Sequence, residues 1–175
     1  LDQLRSFSRP KIDGFELVDI NKLCQRMLEI LKKTMLLPRQ IEAAIRIDPE
    51  IPKIKTDQNG LKQVFINLVK NAAEAMDNGG KIKVTTRFLS NSAKIMIDEK
   101  KRIPGSIEIK ISDNGPGIDE KIKETLFEPY TTTKNKDTNS GLGLSIVYSI
   151  VKELNGNITC KTKQDEGTSF IITLP

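Results

Sequence analysis

Residues 106–118 constrain this chain most. Ile107, Ile109 and Ile111 alternate with Ser106, Glu108, Lys110 and Ser112, the period of a half-buried strand. The strand runs straight into Asp113-Asn114-Gly115-Pro116-Gly117-Ile118. A strand therefore delivers a carboxylate and two glycines to its end. The glycines let a ligand come close to backbone with no Cβ between. A carboxylate held there can accept a hydrogen bond from an exocyclic amine such as that of adenine. Read alone, Asp-Asn-Gly-Pro-Gly is a turn. Three other stretches shift the balance.

The first is a helix opened by Asp57, with Leu61, Val64, Phe65, Leu68, Ala72 and Ala75 as its apolar stripe. Asn67 and Asn71 lie one turn apart, about 40° from each other around the axis, on the shoulder of that stripe. Asparagine is unfavourable inside a helix, so two of them beside a core face need a reason. One such amide is ordinary; two together point to a ligand cavity. Their oxygens are hard ligands suited to Mg²⁺. The second stretch is Ser140-Gly141-Leu142-Gly143-Leu144, opening a helix with the stripe Val147, Ile150, Val151 and Leu154 and a glycine cap expected at Asn155-Gly156. Such a start presents free N–H groups to an anion. It lacks the spacing of a Walker loop. The third is Phe127-Glu128-Pro129-Tyr130, followed by Thr131 to Lys134 and an aperiodic polar run through 140 that is expected to be mobile.

Elsewhere the pattern predicts an edge strand at 15–18, an Asp19-capped helix to about residue 36, and short strands at 41–47 and 53–56. Further strands are expected at 81–88, 158–160 and 170–174. Residues 89–105 are polar and lysine-rich, and read as a long solvated hairpin connection with at most one more strand turn in it. Residues 1–14 begin in mid-pattern, as in a piece of a longer chain.

The 175 residues, 37% hydrophobic and 29% charged, suit one globular domain. No apolar run is long enough to span a membrane. Cys24 and Cys160 sit in apolar patterns without metal-ligand spacing, as expected of a reducing, cytoplasmic setting. The net charge of +5 comes from lysines scattered along the chain, with only 5% aromatics, so no nucleic-acid partner is expected. Histidine is absent, which excludes a histidine triad, a histidine metal site or a phosphohistidine within this stretch.

In this order the motifs resemble the ATP-binding catalytic domain of two-component sensor histidine kinases, within the GHKL superfamily, over residues 15–175. Asn67 to Ala72 is similar to the N box, Asp113 to Gly117 to the G1 box, Phe127 to Tyr130 to the F box and Gly141 to Leu144 to the G2 box. Gly167 to Phe170 is similar to the strand that backs the adenine. The wording of 63–76 and 131–134 most resembles nitrogen-regulation and sporulation kinases. The resemblance implies an α/β (α+β) two-layer sandwich of a mixed sheet and three helices.

It also implies roles. Asp113 receives the adenine amine, with Thr168 nearby, and Gly115 and Gly117 admit the base. Asn71 holds Mg²⁺ bridging the ATP phosphates, with Asn67 beside it. Ser140 and the Gly141, Leu142, Gly143 and Leu144 backbone bind phosphate, and Lys134 adds charge near the γ-phosphate. Lys70, Glu74, Ala75 and Ile118 line the same nucleotide, as do Phe127, Tyr130, Thr132 and Thr133. Two features depart from the pattern. Glu74 stands where many histidine kinases carry a basic residue, so Lys134 or Lys70 is expected to meet the phosphate charge. The 89–105 connection is unusually long.

The implied reaction is transfer of the γ-phosphate to a histidine on an upstream dimerisation domain, whose tail residues 1–14 resemble. A response-regulator receiver domain is the implied downstream partner. A homodimer is implied for the whole protein, and a monomer is compatible with this stretch alone. Alternatives on the same fold are an ATP hydrolase, which places a water-activating glutamate where Asn67 stands, a serine kinase, and a nucleotide-sensing module without catalysis.

Overall fold

The computed structural model describes residues 14–76, 79–97, 100–128 and 141–175. The expected tail at 1–14, Gly14 apart, and the polar run through 140 lie outside them. Strands β1 (Glu16–Val18) and β3 (Ile54–Thr56) pair antiparallel as a small separate sheet. The main sheet contains β2 (Ile41–Arg46), β4 (Gly80–Met96), β5 (Arg102–Asp113), β6 (Asn157–Lys163) and β7 (Gly167–Leu174), in the order β2-β4-β5-β7-β6. It is mixed: β2 and β4 are parallel and the other pairs antiparallel. Helices α1 (Ile20–Leu31), α2 (Gln58–Ala75) and α4 (Gly143–Glu153) form the second layer, and a short α3 (Glu120–Lys123) follows the glycine-rich loop. This is the expected two-layer fold.

Alternation builds the core. Ile82 and Val84, then Ile107, Ile109 and Ile111, then Phe170, Ile172 and Leu174 all face the helices and are buried. Each such side chain contributes about 1.5–3 kcal/mol on leaving water. The helices answer with stripes at three- and four-residue spacing: Ile20, Leu23, Cys24, Met27 and Leu28 on α1, Val64, Phe65, Leu68 and Ala72 on α2, Val147, Ile150 and Val151 on α4. Burial raises the Cys24 thiol to about 12 and the Cys160 thiol to about 11, so both are inert apolar fillers at neutral pH. Asp19 and Asp57 cap α1 and α2 as expected, accepting from the N–H of Lys22 and Asn59.

Three local expectations need correction. Regular α-helix stops at Leu31 rather than near 36; the chain continues through a wider π-turn (Lys32–Leu36) and a 3-10 turn (Leu37–Arg39). The wider turn places Leu36 five residues beyond Leu31, and Leu36 is fully buried. At the end of α4 the left-handed residue is Asn155, at φ 56°, and not Gly156. Gly156 is needed for closeness instead: a Cβ there would lie 2.8 Å from the Thr173 carbonyl oxygen.

The third correction concerns 89–105, which is mostly strand rather than a solvated connection. Pairing of β4 with β5 runs from Ile82↔Asp113 to Leu89↔Ser106, shifts register, and resumes from Lys94↔Pro104 to Met96↔Arg102. The shift comes from the extra β4 residues 90–93, set opposite the single Gly105, whose φ is 140° and where a Cβ would meet the Phe88 ring at 2.5 Å. Ile95, opposite Ile103, is completely buried. Where β2 stops, Asp48 carries on its work along β4. Its carboxylate accepts the Phe88 N–H at 2.8 Å, and its own N–H donates to the buried Thr86 hydroxyl at 3.2 Å. That hydroxyl donates to Asn21 on α1, and the N–H groups of Phe88 and Glu50 hold the Asp48 carboxyl below its usual range.

If the extended hairpin belongs to the core, Ile95→Ala costs about 2–4 kcal/mol in urea unfolding. A side chain in a solvated connection would move the midpoint by less than about 0.5 kcal/mol.

Candidate functional site

Asp113 closes β5. One carboxylate oxygen accepts two backbone N–H groups, from Gly115 at 2.9 Å and from Thr168 at 3.2 Å. The first bond folds the loop back; the second ties the end of β5 to the start of β7. Among the described residues no other residue donates to the second carboxylate oxygen, which remains available. Burial pushes the Asp113 carboxyl above its ordinary range, against the opposing pull of the Gly115 and Thr168 N–H groups.

The glycines around it are set by packing. A Cβ on Gly115 would lie 3.0 Å from the Asp113 carboxylate and 3.2 Å from Met76, with Ala75 just behind. Gly117, at φ 77°, would place a Cβ 2.3 Å from the Lys163 carbonyl oxygen. Gly167, at φ 97°, would place one 2.1 Å from the Asp113 carbonyl oxygen. The glycine-rich loop is thereby pressed against the β6–β7 hairpin. Bonds hold it there: the Ile118 N–H donates to the Thr162 hydroxyl at 2.8 Å, and the Asp165 N–H to the Pro116 carbonyl at 2.8 Å. The hydroxyls of Thr162 and Thr168 lie 3.1 Å apart.

The two helix asparagines meet the start of α4. The Asn67 amide donates to the Gly143 carbonyl at 3.4 Å, and Gln63 donates to the Asn67 oxygen at 3.3 Å. A Cβ on Gly143 would come 3.7 Å from the Asn71 amide oxygen. Gly141 is left-handed at φ 64°, and Leu142 precedes α4 with no side-chain cap. The start of α4 thus lies against the asparagines of α2, and its uncapped first N–H groups have the polarity an anion needs. The Ser145 hydroxyl donates back to the Leu142 carbonyl at 2.9 Å rather than capping the turn.

These separate stretches converge on one edge of the fold, and they fall inside a matched family model. Residues 56–175 match the model described as histidine kinase-, DNA gyrase B- and HSP90-like ATPase. The chain belongs to this ATPase family. Its relatives include the sensor kinase CckA of Brucella abortus, 33% identical over 99% of this chain and 18% of that protein. Sporulation kinase E of Bacillus subtilis is 32% identical over 96% of this chain and 21% of that protein. The chain thus spans about a fifth of each of these two relatives. Among solved structures, the catalytic domain of histidine kinase ThkA aligns with a TM-score of 0.74 and 29% identity, over 92% of this chain and 95% of that one. ThkA has also been solved in complex with the response regulator protein TrrA, where the match covers 99% of this chain and 45% of that chain at a TM-score of 0.72 and 27% identity.

Within the ATPase fold the remaining expected residues separate. Ile118 and Leu144 are half-buried against the core. The Phe127 ring packs 5.5 Å from Tyr148 and 6.5 Å from Phe170 between centroids, anchoring the chain that leads toward 129. Lys70 is drawn to Glu74 at 3.7 Å along α2. Tyr130, Thr132, Thr133, Lys134 and Ser140 lie outside the described residues. Asn114, Thr162 and Met76 were not singled out by the sequence reading. Asn114 accepts the Lys81 N–H at 2.6 Å and fixes the loop to the start of β4. Thr162 had no local signal, since its partner is 44 residues away. A cleft of about 750 Å³ opens elsewhere, along α1 past Leu23, Met27, Ala43 and Ile45, and none of the residues named for the site lines it.

Asp113 makes stability depend on pH. Its folded carboxyl holds a proton that the unfolded chain has already released, so this contribution is full below the ordinary value near 3.9 and falls as pH rises through the raised folded value. Asp113→Asn keeps an oxygen for both N–H bonds and removes the titration. The melting temperature of the variant relative to wild type is therefore expected to climb from pH 4 upward and then level off. A constant difference across that range would contradict a raised carboxyl.

Proposed function

We propose that this chain is the ATP-binding catalytic domain of a sensor histidine kinase, donating the γ-phosphate of ATP to a histidine on a separate dimerisation domain. The observation that carries this reading is the pairing of a half-buried acceptor with an uncapped helix start. Asp113 offers one oxygen beyond its bonds to Gly115 and Thr168, and α4 opens opposite Asn67 and Asn71. An adenine amine suits the first and a phosphate chain suits the second.

On this reading Asp113 orients the base and Thr168 backs it. Thr162 holds both the loop and the Thr168 hydroxyl in place. The N–H groups from Gly143 onward receive phosphate oxygens. Among the described residues no group of three or more His, Cys, Asp or Glu converges on one point. A metal here would therefore rely on amide oxygen and on the phosphates it arrives with, which fits Mg²⁺ at Asn71 with Asn67 beside it. When bound there, Mg²⁺ neutralises phosphate charge. Lys70 is engaged by Glu74, so Lys134 is the better candidate for charge near the γ-phosphate. Asn67 is an amide and cannot take a proton from water, which favours transfer over hydrolysis.

The remaining assignments belong to the same proposal. Residues 1–14 would be the tail of the dimerisation helix and 15–175 the catalytic domain. The whole protein would be a homodimer that passes phosphate to a response regulator in the cytoplasm. No helix among the described residues is long and apolar enough to cross a membrane.

Calorimetry on Asp113→Asn tests the base contact. Losing a charged acceptor is expected to weaken ATP about 10–100-fold while GTP changes little. Asn71→Ala is expected to weaken only the Mg²⁺-dependent part. For the reaction, the chain with ATP and separately supplied dimerisation helices is expected to give an acid-labile label on those helices, and almost no hydrolysis without them. Acid-stable label would indicate a serine kinase, and brisk acceptor-independent hydrolysis an ATPase. Unchanged ATP affinity in both variants would overturn the site.

A further inference from the structure

The sheet has a second face, and its charge is not random. Opposite the core, β2, β4, β5, β7 and β6 turn outward the residues that alternate with the buried ones. These outward positions hold nine lysines and arginines (Arg46, Lys81, Lys83, Arg87, Lys94, Arg102, Lys110, Lys161, Lys163) against two glutamates (Glu42, Glu108). The whole chain has 28 cationic and 23 acidic residues, so its positive excess lies on this face. Scattered in sequence, these lysines are gathered by strand alternation.

The register sorts them further. One cross-strand row reads Arg46, Thr85, Lys110, Ile171, Thr159, and the next Ala44, Lys83, Ser112, Ser169, Lys161. Neither row contains an acidic residue. The glutamates fall in the outer rows, where Glu42 pairs with Lys81 at 3.4 Å and Glu108 with Arg87 at 4.0 Å. Lys163 pairs with Glu166 in the hairpin turn. Among the described residues, Arg46, Lys83, Lys110 and Lys161 have no such partner. Between Lys83 and Lys161 the Ser169 hydroxyl donates to Ser112 at 2.9 Å, leaving a hydroxyl floor rather than an apolar one. Solvent reaches every position in both rows.

We propose that this open sheet face is an electrostatic docking surface for an anionic lipid bilayer. Four like charges are spread over about 19 Å, the width of four strand spacings. That is a broad, single-signed array. A protein partner would need an apolar or aromatic centre, and lysine is depleted at such interfaces. The two cationic rows offer only Ile171 and Ala44. Single-stranded nucleic acid needs stacking rings, and none stands here. A planar anionic surface needs only cations at one level and polar groups for headgroups, which these two rows supply. Binding through this face leaves Asp113, Asn67 and Asn71 accessible, because α2 and the start of α4 lie in the opposite layer.

The test is co-sedimentation of the chain with vesicles of phosphatidylcholine alone, or with one third phosphatidylglycerol. Binding to the anionic vesicles only is expected, with release as salt rises to about 0.5 M and the screening length shortens. Replacing Lys83, Lys110 and Lys161 together by Gln is expected to weaken binding on the order of a hundred-fold, and Lys161→Gln alone about five-fold. The matched control, with Gln at exposed Arg26, Lys33 and Lys152 in the helix layer, is expected to stay within about two-fold of wild type. Melting curves verify each fold, and the salt and vesicle comparisons need no variant. Equal binding to neutral vesicles, no binding at all, or an equal loss in the control would overturn the proposal. Duplex DNA competing as well as the anionic vesicles would show an indifferent polyanion surface and overturn it too.

Discussion

The fold turns on one carboxylate oxygen. Asp113 accepts the N–H groups of Gly115 and Thr168, so a loop reversal and a strand junction share one acceptor. The arrangement exists only because Gly167 lets β7 begin against the Asp113 carbonyl, where any Cβ would collide. It places the free carboxylate oxygen beside the helix layer and keeps it half-buried. The same burial raises the proton affinity of the group, because a charge held out of water is costly. Geometry and electrostatics here have a common origin in a close backbone crossing.

The second half of the site depends on helix packing. α2 and α4 lie side by side, and their contact brings Asn67 and Asn71 to Gly143. Leu68 and Ala72, one position on from each asparagine, are buried. The amides are thus held at the margin of a packed core, where helix rigidity fixes them better than a loop would. An ordinary N-cap at 142 would have satisfied the first N–H groups of α4 internally. Leucine there leaves them without a side-chain cap.

Much of this was legible along the chain because it is local. Isoleucine alternation located β5, and aspartates located the starts of α1 and α2. The motif order located the family. What escaped depends on partners far away in sequence. Asp48 has no local mark, since its function is to replace β2 along β4 at residues 86–88. Thr162 and Asn114 hold the glycine-rich loop through partners 44 and 33 residues distant. Within 89–105 a bulge breaks the alternation that identifies a strand, although Ile95 and Ile103 resume it on the far side. Gly156 was assigned to the cap by type, but Asn155 took the left-handed turn and left the glycine to a tight backbone contact.

Both faces of the sheet follow from one parity. With a period of two, a slip of a single residue in β4 would turn Ile82 and Val84 to solvent and Lys81 and Lys83 into the core. The irregularity in the β4–β5 ladder is therefore informative by position. It lies between Leu89 and Lys94, beyond the part of β4 that pairs with β2 and opposite Gly105, which precedes the β5–β7 pairing. Gly105 absorbs the slack at φ 140°, and the strands regain a phase that keeps Ile95 inside. Nearer Asp113 the ladder is unbroken. The apolar rows under the helices, the carboxylate at the end of β5 and the cationic rows outside are consequently in fixed register with one another.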